Sequence, residues 1–249
     1  MRNRFFFSTI LITLTLNISS LVPGEKLIFK IKYGFIGAGK AVLELNETTY
    51  RDSIPAYEIK SRAKTNSFFD KFFKVRDEII STVDKDKFIS YKFEKKLREG
   101  NYKQHRIHLY YPDLNLSYYL KYSRKSKKFK QTRMDIPENT QDILSAFYWF
   151  RKQEFTVGDT LSVNVTVDGR NTITKVAVHR LETIETIFGE KECFVIEPLL
   201  QTEAIFKQTG GVLIWLTRDT YKIPVQLESE VIFGHFHAIL EKVENVTLD

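Results

Sequence analysis

Apolar and polar residues alternate with a period of two along most of the chain, the pattern of β-strands with one buried face. Leu27, Phe29, Ile31 and Tyr33 share one phase, and Lys26, Lys30 and Lys32 lie in the other. Ala41, Leu43 and Leu45 repeat the pattern, and the interval Gly34–Gly39 between the two runs predicts a hairpin turn. Ile107, Leu109 and Tyr111 alternate with Arg106, His108 and Tyr110. Tyr118, Leu120 and Tyr122 alternate with Ser117, Tyr119 and Lys121. Leu161, Val163, Val165 and Val167 alternate strictly with polar residues, as do Val225, Leu227 and Val231 further on. Roughly a dozen strands result. One-sided alternation with short connections predicts antiparallel pairing. The predicted fold class is mainly β: a curved antiparallel sheet or open β-barrel, which hides strand edges, with one or two short helices.

Two segments break the alternation. Asn139-Thr140-Gln141-Asp142 predicts a helix N-cap with an acid at the third position. Ile143, Phe147 and Phe150 then fall on one helical face, and Arg151 and Lys152 close the helix where its dipole favours cations. This helix is expected to cover a mouth or face of the sheet. A shorter helix is predicted over Ser67–Phe73, where Phe68, Phe69, Phe72 and Phe73 form two i, i+4 pairs.

Arg2 and Arg4, the apolar run Phe5–Leu16, then Ser19, Ser20, Pro23 and Gly24 form the sequence of a secretory signal. The run is short for a membrane span, which needs roughly 20 apolar residues; an uncut N-terminal anchor is the alternative. The expected organisation is a signal peptide at 1–24 and a single β-rich domain at 25–249, placed in the periplasm or outer envelope. Cys193 is the only cysteine of the 249 residues, which excludes an internal disulfide. Its apolar setting, Cys193-Phe194-Val195-Ile196, predicts a buried thiol. The formal charge of +7 suits contact with anionic surfaces.

Catalytic signatures are missing: no G-x-S-x-G, P-loop or H-E-x-x-H occurs. No catalytic residue, metal ligand or cofactor is therefore assigned. His235 and His237 share a strand face and could pair on zinc, but no third ligand can be named. Glu228 and Glu230 also share a face, the arrangement a glycosidase would need, and read more simply as surface charge. Lys121, Arg124, Lys125, Lys127, Lys128, Lys130 and Arg133 form a basic stretch without an acid, suited to anionic lipid or polysaccharide. Nucleic acid is a poor partner for an exported chain with few interleaved aromatics in that stretch.

Three stretches go together. They are Pro23-Gly24-Glu25-Lys26-Leu27 with Tyr33-Gly34 and Gly37-Ala38-Gly39; Gln141-Asp142-Ile143-Leu144-Ser145-Ala146-Phe147-Tyr148-Trp149-Phe150-Arg151; and Gly211-Val212-Leu213-Ile214-Trp215-Leu216-Thr217 with Asp219 and Ile223-Pro224-Val225. They resemble the opening hairpin, central helix and closing hairpin of the bacterial domain-of-unknown-function family 3108, a set of exported envelope proteins. The resemblance spans nearly the whole mature chain. It implies an exported β-rich domain and brings no catalytic residue to carry over. The chain departs from the family's closing small-residue strand with His235-Phe236-His237. The overall plan is also similar to periplasmic lipoprotein carriers, in which a curved sheet with helices over its opening holds acyl chains. That likeness is architectural and does not establish function.

The expectation drawn from all this is a non-catalytic envelope protein that binds an amphipathic, lipid-like ligand. Its apolar part would lie in the curved sheet beside Phe72, Phe73 and Trp215. Its anionic head would meet Lys125, Lys127 and Lys128. Peripheral membrane contact fits the same reading. The alternative is an envelope polysaccharide-binding module stacking sugars on Tyr118, Tyr122 and Trp149, with a hydrolase ranked behind both.

Overall fold

The computed structural model describes residues 21–199, 209–231 and 234–246. The expected signal segment falls largely on residues 1–20, which lie outside the described residues. The described chain forms strands β1 (Lys26–Tyr33), β2 (Ile36–Tyr50), β3 (Ile54–Thr65), β4 (Arg76–Asp84), β5 (Ser90–Glu99), β6 (Tyr102–Tyr111), β7 (Leu116–Ser123) and β8 (Lys128–Asp135). They are followed by β9 (Gln141–Asp142), helix α1 (Ile143–Arg151), β10 (Thr160–Val167), β11 (Arg170–Thr186), β12 (Gly189–Leu199), β13 (Thr209–Thr217), β14 (Pro224–Val231) and β15 (Gly234–Glu244). All fifteen strands belong to one open, curved sheet in the order β8-β7-β6-β5-β4-β3-β2-β1-β15-β14-β13-β12-β11-β10-β9. Neighbours pair antiparallel, except for the short parallel pair β9–β10. Among the described residues no helix is long and apolar enough to cross a membrane.

The sheet curls until its two halves face each other. Lys95 of β5 pairs with Asp168 in the β10–β11 turn at 2.8 Å, and the Asn171 amide donates to the Asp135 carbonyl at 2.6 Å. The Tyr110 hydroxyl of β6 bonds Thr166 of β10.

Helix α1 covers the inner face of the sheet, as one of the two expected placements has it, and fills the concavity. Tyr148 packs with Leu45, Ile59 and Val83 of β2–β4. Phe150 packs with Val176, Val178, Ile196 and Ile214 of β11–β13, and Ala146 meets Val165 and Val167 of β10. Burial of each large apolar side chain is worth about 1.5–3 kcal/mol, so the helix joins the two walls of the sheet. The inner faces of the strands beside α1 are occupied by the helix itself.

The cap of α1 also differs from expectation. Asp142 itself is the N-cap, accepting from the backbone of Leu144 and Ser145 at 2.9 Å, with the Ser145 hydroxyl completing a capping box. Its other oxygen accepts from Ser81 at 2.6 Å and Ser90 at 2.8 Å, which ties the helix start to β4 and β5. The predicted Ser67–Phe73 helix is only a 3-10 turn at Phe69–Lys71, and Phe68, Phe72 and Phe73 face solvent there.

Most strand phases follow the sequence: Leu27, Phe29, Leu45, Val165 and Val167 are buried. β6 and β7 invert it. His108, Tyr110, Ser117 and Tyr119 point inward and are buried, while Ile107, Leu109 and Tyr118 are only half-buried. Gly39, expected in a turn, lies within β2, where a side chain would overlap the Lys64 carbonyl of β3 and come within 2.9 Å of the Thr65 Cα. The turn itself is at Gly34–Phe35.

Candidate functional site: a basic cleft on β6–β8

The inverted strands carry a distinctive charge pattern. Cross-strand register places Lys95 opposite Arg106, Arg106 opposite Lys121, and Lys121 opposite Lys130. Four cations thus stand in one row across β5–β8 on the inner face. Like charges directly opposite on a sheet repel, so the row costs stability unless anions neutralise it. Asp168 does so for Lys95. Arg106, Lys121 and Lys130 make no ion pair among the described residues. The Arg106 Nε is buried with no hydrogen-bond partner, and its guanidinium lies against the Tyr119 hydroxyl.

An open cleft of about 610 Å³ lies over this row. Lys103, Arg106, Lys121, Arg124, Lys125 and Lys130 line it, with Tyr102, Tyr119 and Tyr122 between them. Gly169 lets the β10–β11 turn sit against this wall: it has a positive φ of 83°, and a Cβ there would stand 2.6 Å from the Tyr119 ring. Behind Tyr119, His108 is 1% exposed and packs on that ring at 4.7 Å, with neither imidazole nitrogen hydrogen-bonded. Burial pushes its pKa down to about 4, so it is a neutral aromatic spacer at ordinary pH.

The lining of the cleft holds no carboxylate, imidazole or thiol. It offers donors and charge, the groups that recognise phosphate, carboxylate or sulfate, with tyrosine rings for an apolar or sugar-like neighbour.

The sequence-derived site residues are dispersed. Lys125 lines the cleft. Lys127 and Lys128 are exposed on the same β7–β8 hairpin, outside the lining. Phe72 and Phe73 are exposed on the β3–β4 connection, and Phe73 packs on Gly100 of the β5–β6 turn, two residues from Tyr102. Trp215 is apart from all of them: it is 4% exposed, in a core cluster with Leu27, Phe29 and Val195. Trp149 is half-buried against the two core clusters around α1. His235 and His237 both point at Glu228, at 3.2 and 3.8 Å. No group of three or more metal-ligating side chains occurs among the described residues. Cys193 is fully buried, and its thiol is pushed up to about 11 by that burial. Sequence reasoning missed Arg106, Lys103 and Tyr119, because a period-two pattern does not reveal which face of a strand is inner.

A family profile for DUF3108, proteins of unknown function, matches residues 28–241. The chain belongs to the DUF3108 family. Among solved structures, it is similar to a β-barrel-like protein of the DUF1849 domain of unknown function from Brucella abortus. The TM-score is 0.59 at 12% identity, over 92% of this chain and 100% of that one. That likeness concerns the fold alone. A "putative lipoprotein" from Parabacteroides distasonis ATCC 8503 aligns over 90% of this chain and 96% of its own, at 10% identity and a TM-score of 0.33, too low to indicate a shared fold. No curated protein matches the chain significantly.

Proposed function

We propose that this DUF3108 protein is a non-catalytic binder of an anionic, lipid-like amphipathic molecule in the periplasm or outer envelope. The observation that carries the reading is the row Arg106–Lys121–Lys130, cations set in register without acids, beneath an open cleft. An anionic head group relieves the repulsion along that row and meets the buried Arg106 Nε. The tyrosines flank the apolar part, which leads towards Phe73 over the β5–β6 turn. The ligand in this reading lies on β6–β8 instead of deep in the sheet. Export is supported by the N-terminal charge and apolar pattern.

The second reading is an anionic polysaccharide segment in the same cleft, favoured by its openness and its tyrosines. One experiment separates the two: purify the exported protein without detergent, extract it with organic solvent and with water, and identify bound molecules by mass spectrometry. A stoichiometric acidic lipid, absent from an Arg106→Gln, Lys121→Gln double variant, supports the first reading. An acidic oligosaccharide supports the second. An empty, folded protein contradicts both.

A further inference from the structure

The antiparallel meander sends alternate turns to opposite ends of the sheet. The β1–β2, β3–β4, β5–β6, β7–β8 and β14–β15 connections therefore share one end. Every exposed phenylalanine among the described residues, namely Phe35, Phe68, Phe72, Phe73, Phe129 and Phe236, sits at that end. Phe35 is fully exposed and Phe72 is 74% exposed. The turns of the opposite end expose scattered aliphatic residues such as Leu114 and Ile187. Single exposed apolar residues are ordinary, whereas a one-sided set of aromatic rings marks a docking surface.

The two most apolar tips are held together. Asn66, at the start of the β3–β4 connection, donates its backbone N–H to the Ala38 carbonyl at 2.9 Å and its side-chain amide to the Gly37 carbonyl at 2.6 Å. Those bonds fix the Phe68–Phe73 turn beside the Phe35-Ile36 tip. The Phe68 and Phe72 rings lie 5.4 Å apart, and both are exposed.

Charge surrounds these rings. On the outer face just below, Lys30 stands opposite Lys40, Lys40 opposite Lys64, and Lys64 opposite Arg76. This second cationic row is separate from the one in the cleft. Glu241 answers Lys40 at 2.9 Å and Asp70 answers Arg76 at 2.6 Å. Lys32, Lys64 and Lys71 make no ion pair among the described residues. Aromatic tips ringed by lysines suit a bilayer surface: the rings enter the headgroup boundary, and the lysines meet anionic lipids.

We propose that this rim docks the protein on the surface of an anionic phospholipid membrane, with Phe35, Phe68 and Phe72 inserting and Lys64 and Lys71 meeting the head groups. The docking stands independently of what the β6–β8 cleft binds.

The test uses protein purified from the envelope of an expressing cell, co-sedimented with vesicles of phosphatidylethanolamine and phosphatidylglycerol, and with vesicles of phosphatidylcholine alone. Binding to the anionic vesicles, weakened by salt, is expected. Phe35→Ser with Phe72→Ser lowers it by at least about tenfold. Lys64→Gln with Lys71→Gln lowers it and flattens the salt dependence. All four positions are exposed, so unchanged thermal melting confirms the fold. Leu114→Ser with Ile187→Ser, exposed at the opposite end, leaves vesicle binding intact. Equal binding by native and rim variants overturns the proposal, as does loss in the opposite-end variant alone. Phenylalanine-dependent self-association without vesicle binding overturns it too, and assigns the rim to a second copy of the chain.

Discussion

Arg151 and Glu25 face each other through two parallel hydrogen bonds of 2.7 Å, both side chains buried. The Tyr148 hydroxyl donates to the same carboxylate at 3.1 Å, and the guanidinium also donates to the Tyr221 carbonyl. The last residue of α1 is thereby tied to the approach to β1 and to the β13–β14 connection. The three stretches that carry the family resemblance meet at this point.

Breaking that pair leaves an uncompensated buried charge. Glu25→Gln is expected to cost about 3–5 kcal/mol, read by urea denaturation. A double replacement, Glu25→Leu with Arg151→Met, removes both charges and should cost less than either single change.

His108 gives the fold a pH dependence. The unfolded chain takes up its proton near the ordinary 6.5, whereas desolvation holds the folded side chain neutral down to about 4, with Asp168 opposing that shift and Lys95 adding to it. Protons therefore favour the unfolded state in that window. Stability is full above about pH 6.5 and falls by about 3 kcal/mol on the way to pH 4. His108→Phe keeps the contacts with Phe93 and Tyr119 and should flatten that part of the stability–pH curve.

Leu21 lies before the expected start of the mature domain, yet it is 4% exposed and belongs to the cluster of Leu45, Ile59 and Tyr148. Leu21→Ala, or a chain beginning at residue 25, should lose about 2–5 kcal/mol. Equal denaturation midpoints for chains beginning at 21 and at 25 would show that this packing contributes nothing.

Gly39→Ala should destabilise by about 1–3 kcal/mol or more, because the added carbon meets the β3 backbone, which cannot rotate aside. The thermal midpoint reports it, and an unchanged midpoint would refute the close approach.

The curved antiparallel sheet was legible because strand alternation is local and follows from burial of one face. Where the sequence misled, the reasons are physical. On β6 and β7 both phases carry bulky residues, Ile107 and Leu109 on one side and His108 and Tyr110 on the other, so composition could not decide which turned inward. The Phe68–Phe73 spacing fits a helix, but Asn66 anchors the connection between β3 and β4, and only a 3-10 turn forms there. Trp215 belongs to the core because β13 is paired on both sides and the Trp215 side chain clusters with Leu27 and Phe29 of β1. The basic stretch was visible in the sequence, but only cross-strand register shows that Lys121 and Lys130 join Arg106, which lies outside that stretch.

The central claim, an anionic amphiphile held by the β6–β8 cleft, is tested most directly by calorimetric titration with monomeric lysophosphatidylglycerol and, separately, lysophosphatidylcholine. The native protein should bind the anionic lipid more tightly than the zwitterionic one, and Arg106→Gln with Lys121→Gln should weaken that binding by about tenfold or more. Equal affinity for the two lipids, or an unchanged affinity in the double variant, would contradict it.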